Sequence, residues 1–175
     1  MTRVQTLTAI AATTFGVAAC GAAHGTATAP PRSVTATGGP TLTGSDASIT
    51  AFRGHPVVLV FWGSWCGPCR EEQPDLNSLH AKWSARGVEF LGVDLRDDTK
   101  DALAFQRQFD VPYPSIADTQ ATLAVDYRIP SAPALVFLTA QGKVADVALG
   151  ALGTMSVADF NSEITTLLGA SSASA

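Results

Sequence analysis

Phe61-Trp62-Gly63-Ser64-Trp65-Cys66-Gly67-Pro68-Cys69-Arg70-Glu71-Glu72 is the stretch on which the fold turns. A β-branched and aromatic run, Val57–Trp62, stops at Gly63, and two cysteines then open a segment where Leu76, Leu79 and Trp83 recur at helical spacing. The run is continuous rather than alternating, which fits a central strand buried on both faces. The start of a helix offers unpaired N–H groups and the positive end of a dipole, both of which favour a thiolate. Cys66 stands at that start, and Cys69 follows about one turn later on the same face, close enough to close a disulfide. The pattern predicts a redox dithiol, with Cys66 partly exposed.

Working outward, residues 88–95 read as a second strand and 100–109 as a helix with Ala102, Phe105 and Phe109 on one face. A short helix is expected over 119–127, a strand over 134–138, and a turn at Gln141-Gly142 into a strand over 143–149. Ser156 and Asp159 have capping-box spacing before a last helix that buries Phe160, Ile164, Leu167 and Leu168. This order predicts an α/β fold: a central mixed β-sheet flanked by helices on both faces, with active groups where a strand's carboxyl end meets a helix start.

A chain of 175 residues, 46% hydrophobic and 15% charged, is enough for one domain with a core. The net charge of -4, without a Lys or Arg cluster, gives no footprint for nucleic acid. Three cysteines are too few for a disulfide framework or a four-thiolate zinc site. His24, His55 and His80 are not spaced with second ligands, so no metal is expected, and no cofactor beyond the Cys66–Cys69 dithiol. At the N-terminus, Arg3, a small and apolar run from Leu7 to Val17, and Val17-Ala18-Ala19-Cys20 read as an export signal. The last four residues resemble a bacterial lipobox, which would make Cys20 a lipid anchor; the other reading is an ordinary secretory signal with an incidental cysteine. The expected organisation is a signal over 1–20, a flexible Ala/Gly/Thr/Pro tether over 21–40, a domain over 41–169 and a disordered tail over 170–175.

Strand, Trp65-Cys66-Gly67-Pro68-Cys69, helix and a later proline just before a strand together resemble the thioredoxin-like fold. Residues 61–76, including Arg70-Glu71-Glu72-Gln73-Pro74, resemble more narrowly the TlpA/ResA family of membrane-tethered extracytoplasmic thiol-disulfide oxidoreductases. The resemblance implies that Cys66 attacks a substrate disulfide and Cys69 resolves the mixed disulfide. It implies that Pro133 is the family's cis-proline, that Ala132 offers its backbone to an extended substrate, and that Trp65 flanks the substrate beside Gly67 and Pro68, with Trp62 in the core. Glu72 lies about 60° from Cys69 around the helix and Glu71 about 160°, so Glu72 is the carboxylate that can lean toward the sulfurs. Thioredoxins carry a buried aspartate where this chain has Val60, so any side-chain proton relay is expected to fall on Glu72, where the family has a glutamate.

The resemblance implies a reductase of exported proteins, in particular of the CxxCH motif of apocytochrome c, fed by a membrane thiol donor; a monomer is expected. The same residues allow the opposite direction, a disulfide-forming oxidase. A thiol peroxidase calls for a lone cysteine after a Pro-x-x-x-Thr pattern, which is missing. A copper or haem chaperone calls for wider cysteine spacing and a partnering histidine, neither of which is evident.

Overall fold

The computed structural model describes residues 37–172. The expected signal, Cys20 and most of the expected tether lie outside the described residues. In chain order the elements are β1 (Gly38–Pro40), β2 (Asp46–Ser48), a 3-10 turn (Ile49–Phe52), β3 (Val57–Trp62), α1 (Gly67–Ser84), β4 (Glu89–Leu95) and α2 (Thr99–Gln108). They continue as β5 (Ser115–Asp118), α3 (Thr122–Tyr127), β6 (Ala134–Leu138), β7 (Val144–Leu149), a second 3-10 turn (Ala151–Gly153) and α4 (Val157–Ser172).

One five-stranded sheet has the order β5-β4-β3-β6-β7. β3, β4 and β5 are parallel, β6 runs antiparallel to β3, and β7 antiparallel to β6. Side chains alternate across a strand, so β3 sends Val58, Val60 and Trp62 into one apolar cluster and Val57, Leu59 and Phe61 into the other. That double burial is why its sequence is apolar throughout. Buried residues of α1, α2 and α4 pack on the Trp62 face, where Trp62 stacks on Phe105 at 4.5 Å between ring centroids. Leu123, Ala124 and Tyr127 of α3, with Ile49, cover the other face.

The expected mixed sheet with helices on both faces is what forms, and three local expectations need correction. β5 lies where no strand was expected; its four residues Ser-Ile-Ala-Asp are held by pairing with β4 rather than by their own pattern. Strand structure begins at Gly38, inside the segment read as tether, because β1 pairs with β2 and Thr41 bridges to Ile116. At the other end α4 continues to Ser172, past the expected tail boundary, and the Ser171 hydroxyl donates to the Leu167 carbonyl at 2.8 Å.

The sheet leaves no room above Gly92 in β4. A Cβ there would lie 2.9 Å from both Ser115 Cβ and Trp62 Nε1. The Trp62 indole N–H itself donates to Ser115 Oγ at 3.2 Å, and Gln106 Nε2 donates to the same oxygen at 3.0 Å. Gly92→Ala is expected to cost about 1–3 kcal/mol of stability by overpacking, read from urea unfolding.

Candidate active site

The buried strand β3 delivers the chain to Gly63, and a four-residue turn closed by Cys66 N–H donating to the Gly63 carbonyl, at 3.0 Å, leads into α1. Cys66 is the N-cap of that helix, with extended φ and ψ of -86° and 106°. Its sulfur accepts from the Cys69 amide at 3.2 Å, the place a serine or aspartate oxygen takes in an ordinary cap. Pro68 sits in the first turn, where a missing N–H costs nothing. Cys66 and Cys69 are joined in a disulfide with 5.3 Å between Cα atoms. Both are buried, at 3% and 1% exposure, which corrects the expectation of a partly exposed Cys66. Gly67 and Pro68 between them are exposed, and so is Trp65, at 52%.

Trp65 folds back over Gly63, whose missing side chain would meet the indole within 2.6 Å, and its Nε1 donates to the Leu95 carbonyl at 3.1 Å. Ser64 is held from two sides. Its N–H and its hydroxyl both donate to the Asp97 carboxylate, and its carbonyl accepts from Arg70 Nη1 at 2.9 Å. Arg70 also donates to Gln108 and lies over the Phe105 and Phe109 rings, so its charge is engaged away from the disulfide.

Phe61 pairs with Ala134, which sets Pro133 level with Trp62 at the same end of the sheet as the cysteines. The Ala132–Pro133 peptide is cis. Ala132 packs against the cluster that holds both sulfurs, and the Pro133 carbonyl accepts from Gly150 N–H at 2.9 Å.

Glu72 faces inward and Glu71 faces solvent, as the angular count predicts. The Glu72 carboxylate accepts from Leu152 N–H at 3.0 Å, an amide presented by Ala151 at a left-handed φ of 43°. Burial pushes Glu72 up from 4.5 to about 7, and the Leu152 hydrogen bond holds part of that rise back.

A second buried carboxyl near this site, Asp94, was not singled out in the sequence. It lies wholly buried at the end of β4, in register with Trp62. Burial first, then Asp97 and Asp118, push it up from 3.8 to about 8. The signal for it was one aspartate inside the buried run Phe90–Leu95. His55 Nδ1 lies 3.1 Å from the Gly87 carbonyl, and His80 packs edge-on to Phe90, away from the cysteines. Among the described residues no group of three or more His, Cys, Asp or Glu is placed to hold a metal ion.

The model of the AhpC/TSA family matches residues 27–147. The thiol-disulfide oxidoreductase ResA of Geobacillus thermodenitrificans is 31% identical over 111 residues, 63% of this chain and 64% of the relative. The chain therefore spans a little under two thirds of that relative's length. A thiol:disulfide interchange protein of the thioredoxin family from Chlorobium tepidum superposes with a TM-score of 0.68 at 26% identity, covering 81% of this chain and 99% of that one. A secreted thiol-disulfide isomerase from Corynebacterium glutamicum gives a TM-score of 0.70 at 28% identity over 79% of this chain and 87% of the other. The fold is thioredoxin-like.

Glu72 also makes stability depend on pH. The folded chain holds its proton more tightly than the unfolded chain, so this contribution is complete below about pH 4.5 and is lost as pH rises through about 7. Glu72→Gln stays neutral and is expected to flatten that fall by up to one proton, read from urea unfolding at a series of pH values.

Proposed function

The chain belongs to the AhpC/TSA family, and on that premise we propose that it is an extracytoplasmic thiol-disulfide oxidoreductase that reduces disulfides in exported proteins. The observation that carries the reading is the capping of α1 by Cys66: a sulfur set against a helix amide, disulfide-bonded to a partner one turn away. A peroxidase of the same fold would carry a Pro-x-x-x-Thr pattern ahead of its attacking cysteine, and Phe61-Trp62-Gly63-Ser64-Trp65 stand there instead.

The reaction runs in two exchanges. The Cys66 thiolate attacks one sulfur of the substrate disulfide, forming a Cys66–substrate bond and releasing the other substrate sulfur as a thiolate that takes up a proton. Cys69 then gives its proton to the Glu72 carboxylate and attacks Cys66 Sγ, releasing the second substrate thiol and leaving the Cys66–Cys69 disulfide. Two electrons pass to the substrate, and a membrane thiol donor restores the dithiol. A carboxyl raised to about 7 is matched to that proton transfer near neutral pH. The substrate strand lies along Ala132 and Pro133, with Trp65, Gly67 and Pro68 at its exposed side.

The substrate class is exported protein with a CxxC-type disulfide, apocytochrome c first among them, as the TlpA/ResA resemblance implies. No helix among the described residues is long and apolar enough to cross a membrane. The lipobox-like Val17-Ala18-Ala19-Cys20 supports attachment by a lipid on Cys20, the residue that would begin the mature chain once the signal ahead of it is cleaved, with plain secretion as the alternative. The ResA relative and the secreted Corynebacterium isomerase support an extracytoplasmic thiol enzyme.

Cys69→Ala leaves Cys66 able to attack but not to be resolved. Expressed in the native host, it is expected to accumulate mixed disulfides with cytochrome maturation proteins, identified by mass spectrometry. A broad population of newly secreted proteins instead would reverse the assigned direction to oxidation.

A further inference from the structure

We propose that Asp94, held as a carboxylic acid, donates its proton to Asp97 and thereby positions Ser64 and the attacking Cys66 turn, so that ionisation of Asp94 releases the turn at alkaline pH. The proposal rests on the oxidoreductase reading for its consequence in turnover, though the pairing itself does not.

Both Asp94 oxygens are buried, and among the described residues no hydrogen-bond donor reaches either. Its polar contact is the Asp97 carboxyl. Two carboxylates only accept, so this contact becomes a hydrogen bond when one of them carries a proton. Asp97 already accepts from three donors: Ser64 N–H, the Ser64 hydroxyl at 2.8 Å and the Asp98 amide at 2.8 Å. Asp94, buried with no donor to either oxygen, is the carboxyl that keeps the proton.

Among the described residues, the groups that act on Asp94 include no cation, and Arg96, two residues on, is exposed. Asp118 of β5 adds a second negative charge, its own oxygens engaged by the Leu123 and Ala124 amides at 3.2 and 2.9 Å. On β3 the register neighbour is Trp62, α2 turns Ala102 and Phe105 inward, and Lys100 and Asp101 of that helix are exposed. On α1 the buried carboxyl, Glu72, is bound to Leu152, and the cysteines are bonded to each other.

The end of β4 therefore acts as a clamp. Leu95 holds the Trp65 indole, Asp97 holds Ser64, and Cys66 follows directly. A second negative charge beside Asp97 without solvent is costly, and the relief open to Asp97 is to swing outward and let Ser64 go.

The test uses the full chain in its oxidised form, in which neither cysteine of the pair titrates. Carboxyl and amide NMR are followed from about pH 5 to about pH 10, a range that brackets ordinary and raised carboxyl values. The Asp94 carboxyl is expected to inflect above pH 7, with the Ser64 amide inflecting at the same point, and Glu72→Gln is expected to leave both in place. Asp94→Asn, which keeps a donor for Asp97, should abolish the Ser64 inflection and the alkaline fall in disulfide-reduction rate. Asp94→Ala should lose about tenfold or more in kcat/KM where Asn retains most of it, since small misplacements of reacting groups are expensive. A Ser64 amide that stays flat while Asp94 titrates, an Asp94 carboxyl that titrates in the ordinary aspartate range, or equal activity of Ala and Asn overturns the proposal. Should a variant not fold, the wild-type titration decides. A chain that reduces no disulfide yet shows the joint titration refutes the function and leaves the clamp standing.

Discussion

The Cys69 amide donates to the Cys66 sulfur across the first turn of α1, at 3.2 Å, and the site is built so that this contact can exist. It requires a strand that ends beneath the helix start, which β3 supplies because both its faces are buried and it cannot shift without exposing one of them. It requires a turn that does not drift, which Ser64, Trp65 and Arg70 supply through bonds to Asp97, Leu95 and Gln108. The charge of a thiolate is then met by backbone N–H groups rather than by a side-chain cation, since Arg70 is committed to Ser64, Gln108 and two aromatic rings.

Opening the disulfide leaves sulfur charge, and a demand for protons, in a place that water barely reaches. Two buried carboxyls stand ready on that face of the sheet, in different circumstances. Glu72 has one backbone donor and is pushed to about 7, within reach of exchange near neutral pH. Asp94 has acidic neighbours and, among the described residues, no donor, and keeps its proton to about 8. Near neutral pH, one is suited to passing a proton and the other to keeping it.

Much of this was legible in the sequence, because the informative features are local. The apolar run at 57–62 and the helical spacing after Cys69 placed β3 and α1, and angular counting separated Glu72 from Glu71. What escaped depends on distant partners. β5 has a single large apolar residue, Ile116, and exists through its pairing with β4. β1 is Gly-Gly-Pro, indistinguishable by composition from a tether until Thr41 reaches Ile116. Asp94 was visible as a polar residue in a strand, but its importance comes from a neighbour three residues on and another across the sheet, which no spacing rule supplies.

Gly67 lies exposed between the cysteines, and a Cβ at its position would meet nothing within 4 Å. Its backbone carries no left-handed φ, so neither clash nor torsion demands glycine. The spacer can therefore accept other side chains without disturbing the core, each of them exposed and one residue from the attacking sulfur. Evolution can adjust the thiol chemistry at this position almost independently of folding, which separates two demands that elsewhere in the chain fall on the same residues.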